Sequence, residues 1–184
     1  MVDSWLVLPQ VMNTIRNAVS RAYNLLATGA NLLQSPLLLA LRLYFFWQLY
    51  LTGQGKLSNI GKVVHFFASL GIPLPRVNAY LVGALECYGS ILLMVGLASR
   101  PIALMVFVSM SVAYLAGDFE ALTSIFSDPD KFVKADPFPF LLAALVVFVF
   151  GPGLFSIDAL LKRWLGPRSD SAAERLPRQM NKES

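Results

Sequence analysis

The chain has 184 residues, 56% of them hydrophobic and only 14% charged, with a net charge of +4. That balance excludes an ordinary water-soluble domain and a disordered chain, and it points to the membrane class. Cys87 is the only cysteine and His65 the only histidine, which excludes an intrachain disulfide, a C-x-x-C relay, a thiolate metal cradle and a bis-histidine haem within one chain.

In chain order, residues 1–9 carry no basic stretch ahead of a long apolar core. No cleavable signal peptide is expected, and the first membrane segment serves as the targeting signal. Val11, Ile15, Ala18, Ala22, Leu25, Gly29 and Leu32 then recur at helical spacing, with Arg16, Asn17, Arg21 and Asn24 mostly on the other side. This predicts an amphipathic interfacial helix within residues 1–34, lying on the membrane surface.

Four charge-poor stretches follow at about 35–53, 77–99, 101–117 and 137–157. Each approaches the roughly 17 to 25 residues that a helix needs to cross the hydrocarbon core. Lipid offers no partner to exposed backbone groups, so helices rather than open strands must carry these spans. The predicted fold is an all-α integral membrane protein, a four-transmembrane-helix bundle over residues 35–165, with Pro36 in the first turn of its first helix. Residues 166–184 are expected to form a basic, disordered cytoplasmic tail.

Four spans put both termini on one side, with Arg16, Arg21, Arg100 and the basic tail; Lys56, Lys62, Arg76, Lys131 and Lys134 fall on the other. The positive-inside rule places the termini in the cytoplasm. The tail's charge suits anionic lipid headgroups. No basic groove interleaved with aromatic residues occurs, so nucleic acid is not an expected partner.

Two charges interrupt the apolar runs: Arg42 in LLLALRLYFFWQLY and Glu86 in VNAYLVGALECYGS. At 1.5 Å per residue they lie about 9 Å and about 16 Å from the cytoplasmic ends of their helices, within reach of a long side chain. An Arg42 to Glu86 pair is therefore expected, since pairing makes such charges tolerable in lipid. Ala79, Gly83, Glu86 and Ser90 form a small and polar stripe that turns Glu86 toward protein. The pair reads either as a salt bridge that pins helix register or as a proton-handling, ligand-orienting site. His65 reads as an interfacial loop residue, Cys87 as a small packing residue, and the acidic loop Asp118 to Asp136 as solvated, with no metal site. Trp5, Trp47, Tyr50 and Trp164 read as interface anchors, and Trp47 can also stack on a flat ring.

The ordered set LLLALRLYFFWQLYLTGQGKL, FFASLGIPLP, LVGALECYGSILLMVGLASRPIAL and FGPGLFSID, over about residues 37–161, resembles the DoxX family of small four-helix bacterial membrane proteins. The resemblance implies an inner-membrane protein with matching positions at Arg42, Gly53, Lys56, Gly71, Pro73, Glu86, Gly89, Gly96, Arg100, Gly151 and Gly153. Some relatives are named for a subunit of thiosulfate:quinone oxidoreductase and others are linked to membrane redox or thiol-stress systems, which implies a redox-associated membrane subunit. The family pattern places a His near the outer end of the third helix. Here SVAYLAGDF sets Tyr114 or Asp118 in that place, so histidine chemistry does not carry over.

These readings predict a cavity between helices that binds a quinone-like or other lipophilic redox molecule. Arg42 would orient a carbonyl or anion and Glu86 would exchange protons, with Tyr44, Trp47, Gln48, Tyr88, Ser90 and Tyr114 as ligand-binding residues. No intrinsic electron carrier is visible, so a quinone-linked oxidoreductase activity would need a partner subunit or a bound cofactor. The alternative is a non-catalytic membrane scaffold for a redox or stress-response complex, open to homo-oligomerisation, in which the charge pair only fixes register. A transporter is disfavoured by the small size and the lack of repeats and broken helices at midspan.

Overall fold

The computed structural model describes residues 4–165, and no strand occurs among them. Leu, Ala and aromatic residues keep helical spacing from the first residues to the fifties, and the chain answers with one helix, α1 (Ser4–Ser58). At 1.5 Å per residue it is about 80 Å long. The expected boundary between a surface helix and the first span at residues 34 and 35 thus lies inside a continuous helix, and Pro36 sits in its interior instead of its first turn. Proline's φ is already helical and only one backbone hydrogen bond is withdrawn, while the Leu and Ala residues on both sides favour the helix.

Contact with the rest of the protein begins where Ser35 Oγ accepts the Leu154 N–H at 3.3 Å. From there Leu38, Arg42, Phe46, Leu49 and Gly53, three or four residues apart, form the buried face of α1.

After Asn59 the chain forms α2 (Ile60–Ser69), an amphipathic helix with no buried residue, where a loop around His65 was expected. Gly71 turns it at φ 72°, and Pro75 opens α3 (Pro75–Ala84) at its first position. A π-helical turn at Leu85–Gly89 joins α3 to α4 (Ser90–Val95). α5 (Ser99–Ala116) follows, then the short α6 (Phe119–Thr123) and α7 (Pro129–Lys134). The chain closes with α8 (Phe138–Phe150) and α9 (Ile157–Leu165). The basic tail lies outside the described residues.

Among the described residues, three helical stretches are long and apolar enough to cross a membrane: Arg16–Ser58, Pro75–Val95 and Ser99–Ala116. The fourth expected span, 137–157, is helical only to Phe150, because Gly151 and Gly153, both at φ 78°, flank Pro152 and break it. At 13 residues, α8 is about 20 Å long, short of the roughly 30 Å hydrocarbon core. It packs along α5, where Ala103, Ala143 and Ala144 are buried and let the two backbones approach. Phe46, Leu49, Leu93, Val106, Met110 and Val147 complete the core.

The bundle has two distinct ends. At one, the α4–α5 turn, the 151–156 loop and Ser35 of α1 meet; at the other, Lys56, α2, α6 and α7 gather.

Candidate functional site

Glu86 sits in the π-helical turn and is only 2% exposed. Its expected face is confirmed, since Ala79, Gly83 and Ser90 are buried with it. A π turn admits one extra residue into a helix and is common at functional positions. It brings the helix backbone against Gly53 of α1, where an added Cβ would stand 2.4 Å from the Cys87 nitrogen and 2.8 Å from the Glu86 Cβ. Only glycine allows that approach.

The close approach delivers the residues flanking Gly53 to the carboxylate. Lys56 Nζ donates to Glu86 Oε1 at 2.5 Å, and Thr52 Oγ1 lies 3.3 Å from Oε2. The Thr52 hydroxyl has one proton and a nearer acceptor, the Leu49 carbonyl at 2.8 Å. Oε2 is therefore the less satisfied oxygen of a buried carboxylate.

The expected Arg42 to Glu86 pair does not form. Glu86 lies opposite Gly53, about 16 Å along α1 from Arg42 at 1.5 Å per residue. The completely buried Arg42 guanidinium points to the other end of the bundle. Its Nε donates to Leu93 O at 2.8 Å, Nη2 to Met94 O at 2.7 Å, and Nη1 to Phe155 O at 3.2 Å and to Pro152 O. Lys56 lies one helical turn beyond Gly53, so the contact at Gly53 makes it Glu86's partner. Depth counted from apolar run lengths misses it, because it does not say where two helices touch.

Glu86, Lys56 and Thr52 line a groove of about 1550 Å³. Phe66, Phe67 and Leu70 of α2 wall it on one side, Leu81 and Leu85 on a second, and Leu104, Val108 and Phe140 on a third. Lys62, Asp118, Lys134 and Asp136 also line it. An apolar concavity with a few convergent polar groups is the usual form of a small-molecule site. The aromatic wall comes from α2, the segment expected to be a loop.

The other expected ligand-binding residues divide. Gln48 lines the groove. Tyr44, Trp47 and Tyr88 do not line it; they are 65%, 54% and 62% exposed on the outer surface, because each points away from the stripe that faces the core. Ser90 is buried in the bundle, apart from the groove, and its hydroxyl has no partner among the described residues. Tyr114 is also buried: its hydroxyl donates to Phe132 O at 2.8 Å and its ring stacks on Phe132 at 4.8 Å, which anchors α7 to α5. Cys87 is buried beside Gly53, and His65 is exposed on α2. Among the described residues no group of three or more His, Cys, Asp and Glu side chains stands ready for a metal ion.

The DoxX family model matches residues 37–118, which include Arg42, Gly53, Lys56 and Glu86 and stop before the FGPGLFSID segment. Inner membrane protein YphA of Escherichia coli (strain K12) is 27% identical over 107 residues, covering 58% of this chain and 76% of that protein. No solved structure matches the chain significantly. The matched stretch holds the buried carboxylate, its lysine and the arginine clamp, and over residues 37–118 the chain thus matches the DoxX family model.

Proposed function

We propose that this is an inner-membrane protein that holds a quinone-like or other lipophilic redox molecule in the groove and serves as a redox-associated subunit. One observation carries the reading: Glu86 Oε2 is a poorly satisfied acceptor, beside the Lys56 ammonium, on the wall of a mostly apolar groove. A molecule with an oxygen-bearing ring and an apolar body suits that arrangement. Lys56 offers a charged donor to a carbonyl oxygen, Oε2 accepts from a hydroxyl, and the α2 aromatic residues cover the apolar part. When the ligand changes redox state, Glu86 exchanges the proton, while the electrons come from a partner subunit or bound cofactor. Arg42 is assigned to holding the frame and not to the ligand.

Four crossings complete the topology, with α8 and its flanking residues as the short fourth span, accommodated by local thinning of the bilayer. The excess of Lys and Arg at residues 16, 21, 100 and in the tail supports a cytoplasmic side for both termini. The relative named as an inner membrane protein supports the location.

A second reading has its own observation. Glu86 is already paired with Lys56, as it would be in a scaffold whose charge pair sets helix register. Mass spectrometry of lipophilic molecules extracted from gently purified protein separates the two. The first reading expects a stoichiometric ligand that falls at least tenfold in Glu86→Gln with little change in thermal stability. An empty wild-type groove, with Glu86→Gln and Lys56→Met both lowering stability and the double variant Lys56→Met/Glu86→Leu recovering it, selects the scaffold.

A further inference from the structure

On α1, Met12, Val19, Leu26 and Leu33 are seven residues apart, and the same step leads through Ala40 to Trp47. Offset by four residues, Tyr23, Ala30, Leu37, Tyr44 and Leu51 form a second series of the same period. Every member of both series is exposed. Together they make one seam of 3.5-residue period that runs without a change of phase from the free N-terminal half of α1 into its membrane-spanning half. The core-facing stripe of Leu38, Arg42, Phe46 and Leu49 is a different face of the helix.

A repeat of that length, held over five heptads, drifts about 20° per heptad on a straight helix, and a left-handed supercoil with a like helix absorbs the drift. We infer that two copies of the chain pair in parallel along this seam of α1, about a two-fold axis normal to the membrane. Copies inserted in one membrane share one orientation, and a two-fold pairs each seam with itself.

The chemistry along the seam fits a second copy better than lipid. In the free half, Asn17, Asn24 and Asn31 repeat every seven residues on the opposite side, so that half is polar on one face and has an uncovered apolar seam on the other. α1 carries no acidic residue, and between residues 17 and 51 the seam carries no charge, so like charges do not meet across it there. Arg16 falls in the frame near the start, where its long stem can carry the charge out to water. Leu25 and Leu32 lie outside the seam. In the spanning half, the Tyr44 hydroxyl and the Trp47 indole N–H sit near the middle of the helix, where lipid offers them no partner, and a facing copy supplies one. A helix lying flat on the bilayer would need a bend near Pro36, and α1 passes through it as helix. The inference does not rest on the groove or its ligand.

Disulfide trapping in native membranes tests it on the full chain, with Cys87 left in place because it is buried. Leu26→Cys and Leu33→Cys lie on the seam; Asn24→Cys and Asn31→Cys lie off it, and all four positions are exposed. Under copper-phenanthroline oxidation the seam variants should form covalent dimers at least fivefold more than the others, and Leu26→Glu/Leu33→Glu should shift the protein toward monomer in lipid nanodiscs without lowering its melting temperature. Equal trapping at all four positions, or none, overturns the pairing. Absence of trapping with quenching of a probe at residue 33 by a lipid-phase quencher also overturns it, and identifies the membrane surface as the cover.

Discussion

Arg42 and Asp158 hold the same turn from its two sides. The guanidinium donates to the Leu93 and Met94 carbonyls that end α4, and to the 151–156 loop. The Asp158 carboxylate accepts the Ala98 and Ser99 N–H groups that begin α5, both at 2.8 Å, while its own N–H donates to Gly96 O at 2.9 Å. Charge of the right sign thus meets each helix end. Gly96, at φ 75°, lies between them, and an added Cβ there would stand 2.5 Å from Arg42 Nη2 and from the Ser156 Cβ.

Arg42→Lys should therefore destabilise the bundle by about 3 kcal/mol, because an ammonium cannot span four carbonyls and each buried acceptor left unpaired costs roughly 1 to 3 kcal/mol. Thermal unfolding in detergent measures it. Unchanged stability combined with loss of a bound ligand would instead return Arg42 to the binding site.

Asp158 makes stability depend on pH. Burial pushes its carboxyl up, but the backbone N–H and side chain of Ser99, the Ala98 N–H and the Lys162 ammonium outweigh it and hold the group below its ordinary value. The folded state thus binds its proton less readily than the unfolded one, so the contribution is complete above the ordinary carboxylate value of about 4 and is lost as pH falls below it, through the folded value. Asp158→Asn should cost about 1 kcal/mol at pH 7, as for loss of a helix cap. The difference between wild type and variant should shrink as pH falls below about 4 in denaturant titrations.

Gly53→Ala tests the contact that builds the site. Its methyl would press on the Cys87 and Glu86 backbone, and overpacking of this kind costs about 1 to 3 kcal/mol. Because α1 must move away from the π turn, Lys56 and Thr52 withdraw from Glu86 as well. A Gly53→Ala protein with wild-type melting temperature would show that the approach is looser than described.

The sequence by itself determined the membrane class, the helical fold and the buried face of Glu86. Those follow from hydropathy and from 3.6-residue spacing, and both are local properties that survive without knowledge of neighbours. The unbroken α1 and helical α2 were less legible, since Pro36 read as the first turn of a new helix and the segment around His65 read as a loop. Only the tertiary structure decided which charge meets which. Arg42 and Glu86 look like partners when depth is counted from run lengths, yet Gly53 sets the point where α1 touches the second pass, and that point hands Glu86 to Lys56. Ion pairing depends on the contact point and helix rotation, to within a few ångströms, and run lengths along a single chain do not carry that information.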